Sequence, residues 1–114
     1  MSDLADMQFA PLHENETPVS EAERSRLLAQ VPGWQVIEMD GVKQLQRIYT
    51  FDDFIQALAF ANRVGELAEA NDHHPALLIE WGKVTVNWWT HTLGGLHHND
   101  FISAAKTDQL YLIK

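Results

Sequence analysis

Imidazoles and carboxylates are concentrated in one part of this sequence. His73 and His74 stand side by side before Pro75, with Glu69 one helical turn earlier and Asp72 adjacent. His91 closes the apolar run LLIEWGKVTVNWWTH, and Asp100 follows GGLHHN. Histidine is the side chain best placed to give and take protons near neutral pH. In such a group one imidazole can be acid while another is base, and a carboxylate can fix a tautomer. Ser103 falls inside an expected helix, and no motif marks Thr90 or Thr92 as an activated nucleophile. Proton transfer therefore fits better than acyl transfer. Three imidazoles could also supply metal ligands, but adjacent His73 and His74 do not readily chelate one ion from regular structure, so no metal is expected.

Each feature taken alone has a plainer reading. A His-Pro pair at a helix exit is often only a capping feature, and a lone histidine at a strand end is more often structural. Asp100 could serve only the positive end of a helix. His97 and His98 read as loop residues. Trp81 and Trp88 read as packing residues, and alternation sends Trp88 and Trp89 to opposite faces, leaving one exposed or in an interface.

The elements that must position these groups can be read from pattern. Ser20 and Glu23 fit a capping box for a short helix to about Gln30, which VPGW stops. WQVIEMDGVKQLQRIYTF reads as a hairpin turning at Asp40-Gly41, with a bulge allowed by its imperfect alternation. Residues 52–70 form the strongest helix. Thr50 and Asp53 stand at capping-box spacing at its start, and Phe54, Ala57, Leu58, Ala61, Val64, Gly65 and Ala68 give an apolar stripe. A second hairpin turns around Gly82-Lys83, and Asn99 is placed to cap a last helix through about Leu110. Phe101, Ile102, Ala105 and Leu110 approximate the buried side of that helix. The order α-β-β-α-β-β-α predicts an α+β fold, a four-stranded antiparallel sheet with three helices packed on one face. Residues 1–19, with Pro11 and Pro18, read as an irregular lead-in, and 20–114 as one domain.

Register arithmetic brings the histidines together. With Gly82 and Lys83 as turn residues, paired positions sum to about 165, which sets His91 opposite His74 with His73 beside them. A small register error moves this pairing without separating the groups.

Composition narrows the function classes. The chain has 114 residues, suited to a single domain, and is 46% hydrophobic. Its net charge of -8 argues against non-specific nucleic-acid or anionic-membrane binding. The absence of cysteine removes disulfides, thiol nucleophiles and cysteine-based zinc sites. No apolar run approaches the roughly 20 residues of a membrane span, and the N-terminus lacks a signal pattern, so a cytoplasmic protein is expected.

The spaced set Glu69-x-x-x-His73-His74-Pro75, Trp81, His91 and Asp100 resembles the signature of the pterin-4a-carbinolamine dehydratases. The resemblance covers roughly residues 20–112, including Gly33-Trp34 and THTLGGL at residues 90–96, and LLIEWGKVTVNWWTH is most like the bacterial members. It implies an α+β fold, dimers through sheet edges and tetramers through helices. It implies dehydration of 4a-hydroxytetrahydropterin to quinonoid dihydropterin, recycling the pterin of aromatic amino-acid hydroxylases, with no metal or organic cofactor. Carried over by position, His73, His74 and His91 are the catalytic histidines, with His73 and His91 in proton transfer and His74 chiefly positioning. Glu69, Asp72 and Asp100 would orient the histidines or the pterin, while Trp34, Trp89, Thr90 and Thr92 would line the site. Leu93 and Asn99 depart from animal members, which carry cysteine and arginine there. The resemblance also implies an alternative, a binding or regulatory module that acts as a dimerisation or stabilising partner of another protein.

Overall fold

The computed structural model describes residues 4–12 and 16–112. Ser20 caps α1 (Glu21–Leu28), its hydroxyl accepting the Glu23 N–H at 3.1 Å. Only half of the expected capping box forms, because the Glu23 carboxylate pairs with Arg26 one turn on instead. The chain then forms β1 (Gln35–Met39) and β2 (Val42–Thr50), α2 (Phe54–Asn71), β3 (Ala76–Glu80), β4 (Lys83–Trp88) and α3 (His98–Leu112). The strands make one antiparallel sheet in the order β1-β2-β4-β3, with the helices on one face.

The first hairpin turns at Asp40-Gly41, with φ of 52° and 80°, the positive pair that a type I′ turn demands. Its register runs unbroken from Met39↔Val42 to Gln35↔Gln46, so there is no bulge. The second hairpin corrects the expected turn. Glu80 pairs with Lys83 and Ala76 with Asn87, so Trp81 and Gly82 are the turn residues. Gly82 takes the positive φ, 79°, at the second central position, where glycine is the natural occupant. A shift of two leaves Leu77 and Ile79 on the same face, so alternation alone does not distinguish the two registers. The consequence falls on Trp81, which leaves the packed face and is 73% exposed.

Packing sets the rest. Leu45, Tyr49, Val84, Val86 and Trp88 line the inner face of the sheet and are fully or almost fully buried. Against them α2 presents Ala57, Phe60, Ala61, Val64 and Ala68, and its alanines permit close approach. The stripe is thus rotated from expectation, with Phe60 inside and Phe54 and Leu58 exposed. Asp53, not Thr50, caps α2, accepting the Gln56 N–H at 2.8 Å, since Thr50 is the last residue of β2. Such a cap stabilises a helix by about 1 kcal/mol.

Helix α3 buries Phe101, Ile102, Ala104 and Ala105, with Leu110 half-buried. It begins one residue earlier than its expected cap. The His97 ring nitrogen Nδ1 accepts the Asn99 N–H at 3.0 Å, and the Asp100 carboxylate accepts the His97 N–H at 2.8 Å. Together these make a reciprocal cap like a capping box, except that the His97 ring takes the second helical amide rather than the third. Asn99 therefore lies within the first turn. Before α1, a 3-10 turn at Leu4–Asp6 and residues 7–10 lie against α3, with Leu4 buried.

Candidate active site

The exit of α2 aims the first histidine. Asp72 adopts the left-handed conformation, φ 49° and ψ 44°, and its N–H reaches the Glu69 carbonyl. The His73 N–H bonds the Ala68 carbonyl at 3.1 Å. These are the two bonds of a Schellman motif, which stops the helix and turns His73 inward over the sheet. Asp72 thus acts on the site through backbone geometry, and its side chain is exposed.

The His73 ring is held on several sides. Trp88 stacks on it nearly parallel, 9° between planes and 5.5 Å between centroids. Phe9 meets it edge-on at 5.6 Å. Its Nε2 lies 2.6 Å from Asp100 Oδ1. Asp100 is fully buried, and its other oxygen accepts the Thr90 hydroxyl and the His97 N–H, each at 2.8 Å. An ionised carboxylate can only accept, so opposite it Nε2 of His73 carries the proton and Nδ1 is left as an acceptor.

The other two imidazoles are anchored in the same sense. His74 Nε2 lies 2.5 Å from Glu69 Oε1, in an exposed pair. His91 Nε2 donates to the His74 carbonyl oxygen at 3.1 Å, and its ring stacks on Trp89 at 4.4 Å. In all three rings Nε2 faces an oxygen acceptor. The register shift leaves His74 off the position opposite His91. His91 reaches it because the chain leaves β4 in a tight turn, closed by Thr90 N–H to Gly95 carbonyl at 2.8 Å and Leu93 N–H to Thr90 carbonyl at 3.1 Å. His73 rests on the buried Trp88 and His91 on the half-buried Trp89, so the rings flank the end of β4 on successive indoles.

Of the residues singled out from sequence, the structure joins His73, His74, His91, Glu69, Asp100, Trp89 and Thr90 through these contacts. Thr92 is exposed in the turn after His91. Trp34 goes elsewhere. Its indole N–H donates to Asp108 at 3.0 Å, two turns along α3 from Asp100, about 12 Å by helical rise. A Cβ at Gly33 would collide with the Arg47 guanidinium, so the Gly-Trp pair belongs to that node. His97 is buried and structural: its Nε2 pairs with Glu16 at 2.6 Å while Nδ1 serves the helix cap. His98 is half-buried, and burial holds its pKa below the ordinary histidine value. Phe9 and Trp88 were not legible as site residues. Alternation marks Trp88 as inward-facing, but no local signal ties Phe9 to a histidine so distant in sequence. An open groove of about 740 Å³ beside α2 and β3 is lined in part by Glu69. A cavity of about 650 Å³ between Phe51, Phe60 and Tyr111 does not include these histidines.

The family model for pterin 4 alpha carbinolamine dehydratase matches residues 17–110. The chain belongs to that family. A Marinobacter nauticus protein provisionally named a pterin-4-alpha-carbinolamine dehydratase is 54% identical over 111 residues, 97% of this chain and 100% of that one. Among solved structures, a Brucella melitensis transcriptional coactivator/pterin dehydratase is 30% identical, with a TM-score of 0.74 over 82% of this chain and 98% of that one. A pterin dehydratase-like RuBisCO assembly factor of the alpha-carboxysome shares the fold, at 20% identity and a TM-score of 0.59 over 72% of this chain and 93% of that one. The dehydratase match extends across Glu69, the histidines and Asp100, and its first residue, Thr17, lies beyond the Phe9 segment. No helix of the described residues is long and apolar enough to cross a membrane.

Proposed function

We propose that the chain dehydrates 4a-hydroxytetrahydropterin to quinonoid dihydropterin and water by histidine acid/base catalysis. The observation that carries this reading is the common anchoring of His73, His74 and His91 through Nε2, which leaves each Nδ1 for proton exchange. In the reaction the C4a–O bond breaks as the N5 proton is lost and the C4a=N5 bond forms. One group must protonate the departing hydroxyl and another must accept the N5 proton. His73 suits the acceptor, because the buried Asp100 carboxylate compensates the imidazolium that forms. His91, as an imidazolium that keeps its Nε2–H on the His74 carbonyl, gives its Nδ1 proton to the departing hydroxyl to form water. The proton taken up by His73 returns to His91 through solvent to restore both rings. The reaction needs no metal or organic cofactor. Its product, once reduced, serves an aromatic amino-acid hydroxylase, the hydroxylase being the partner in the cycle.

Replacing His73 and His91 together by Ala is expected to slow decay of the 4a-hydroxy compound, followed by ultraviolet absorbance, by about 100- to 10,000-fold. A double variant as fast as the parent chain would reject the assignment.

We also propose that the chain self-associates as a dimer or tetramer. Ile48, Thr85 and Leu78 form one row across β2, β4 and β3 on the outer sheet face, and Ile48 and Leu78 are exposed. On α2, Ile55 is 72% exposed beside Phe54 and Leu58. Sedimentation equilibrium is expected to give twice or four times the 13.0 kDa chain mass. Leu78→Lys and Ile55→Lys should each shift the population toward smaller species, and a parent chain that sediments as a monomer would reject the proposal. The same outer surface is where a binding or regulatory role would act, and a stable partner retained by the histidine variants would favour it.

A further inference from the structure

The contact between Phe9 and His73 is made by a segment remote in sequence, and the structure shows how it is held. Asn99 is buried, and its side chain clamps the backbone of Ala10 from both sides. Its Oδ1 accepts the Ala10 N–H and its Nδ2 donates to the Ala10 carbonyl, each at 2.8 Å. That geometry copies a strand pair with one side-chain amide in place of a second backbone, which an arginine could not do, having no acceptor. Further along α3 the Lys106 ammonium donates to the Ala5 carbonyl at 2.8 Å, and Leu4 is buried beside it. Asn99 therefore fixes Phe9 while its neighbour Asp100 fixes Nε2 of the same His73 ring. Trp88 supports one face of that ring, and Phe9 closes an approach that Trp88 and Asp100 leave open.

We propose that Phe9 is a positioning residue for His73, held in place by the Asn99 clamp on Ala10. Its edge against the ring limits the rotation of the imidazole, so that Nδ1 stays aimed at the substrate while Nε2–H stays on Asp100. The kinetic consequence rests on the dehydratase reading; the effect on the ring does not.

The test uses the full chain with Phe9→Ala, Phe9→Tyr and Asn99→Ala. Two quantities are measured: kcat and KM for the 4a-hydroxytetrahydropterin, and the exchange rate of the His73 Nε2–H proton by nuclear magnetic resonance. Phe9→Ala is expected to lower kcat about tenfold with KM changed less than about twofold, as expected when a reacting group loses its aim. The Nε2–H proton should exchange faster by a similar factor. Phe9→Tyr, which keeps the aromatic edge, should restore both, and Asn99→Ala should behave like Phe9→Ala. If Phe9→Ala leaves kcat unchanged, or lowers it with His73 exchange unaltered, the proposal fails. A lowered melting temperature with unchanged kcat per folded molecule also overturns it, since that is what a purely structural strap would give. If the parent chain shows no dehydratase activity, the functional reading falls, and the exchange measurement alone decides the positioning: faster exchange in Phe9→Ala supports it, equal exchange overturns it.

Discussion

Asp100→Asn is expected to lower kcat by about 100- to 10,000-fold while leaving the fold intact. The buried carboxylate accepts three donors, the His73 Nε2–H on one oxygen and the Thr90 hydroxyl and His97 N–H on the other. An asparagine of the same shape must turn its carbonyl oxygen toward the side with two donors. Its amide then faces His73 and forces Nε2 to become the acceptor. The proton moves to Nδ1, and the nitrogen that should take the N5 proton is blocked. One amide hydrogen meets His73 Nε2 while the other is buried without an acceptor, so stability should fall by about 1–3 kcal/mol. Nitrogen-15 shifts of His73 would report the tautomer exchange directly. A flipped tautomer with full kcat would show that His73 Nδ1 is not the proton acceptor.

The largest expected stability effect lies at the other end of α3. Asp108 Oδ1 receives the Tyr49 hydroxyl at 2.5 Å, Arg47 at 2.8 Å and the Trp34 indole N–H at 3.0 Å. Tyr49 and Trp34 are buried, whereas Arg47 and Asp108 retain some exposure. Asp108→Ala strands two buried donors, each worth about 1–3 kcal/mol when left unpaired, and the half-exposed Arg47 adds little. The expected loss is about 2–4 kcal/mol, a large share of a margin on the order of 5–15 kcal/mol. Denaturant unfolding would measure it. Tyr49→Phe removes a donor and leaves the acceptor satisfied by the other two, so its loss should be below about 1 kcal/mol. Equal effects of the two variants would contradict this account. Burial, then the charge of Asp108 and its hydrogen bond, push the Tyr49 phenol far above its ordinary pKa. The folded state therefore resists ionisation that the unfolded chain undergoes near pH 10. The stability associated with Tyr49 should be complete below that pH and decline above it. Tyr49→Phe should flatten that alkaline decline.

Much of this was legible because it is local. Asp40-Gly41 carries its own turn, Ser20 its own cap, and period-2 alternation in β4 assigns Val84, Val86 and Trp88 to one face. The element order follows from such signals, and with it the fold class. That Glu69 lies near the histidine pair was also legible, one helical turn before His73, but its partner is His74. What failed was finer. The second turn sits one residue earlier than expected, because registers that differ by two bury the same apolar residues. The α2 stripe is rotated toward Phe60 because small alanines tolerate several packing angles, and the cavity left by the sheet selects among them.

The sequence by itself determined which side chains are able to exchange protons, that no thiol is present, and that His91 returns near the His73-His74 pair at the end of one hairpin. Only the tertiary structure decided how they are used. It sent Trp34 to Asp108, made Thr90 a support for Asp100, gave His97 to a helix cap, and brought Phe9 and Trp88 against His73. The physical reason is range. Turns, caps and alternation act over a few residues and leave a mark in the local pattern. The orientation of an imidazole is set by groups that converge from distant segments, and no short window of sequence contains them.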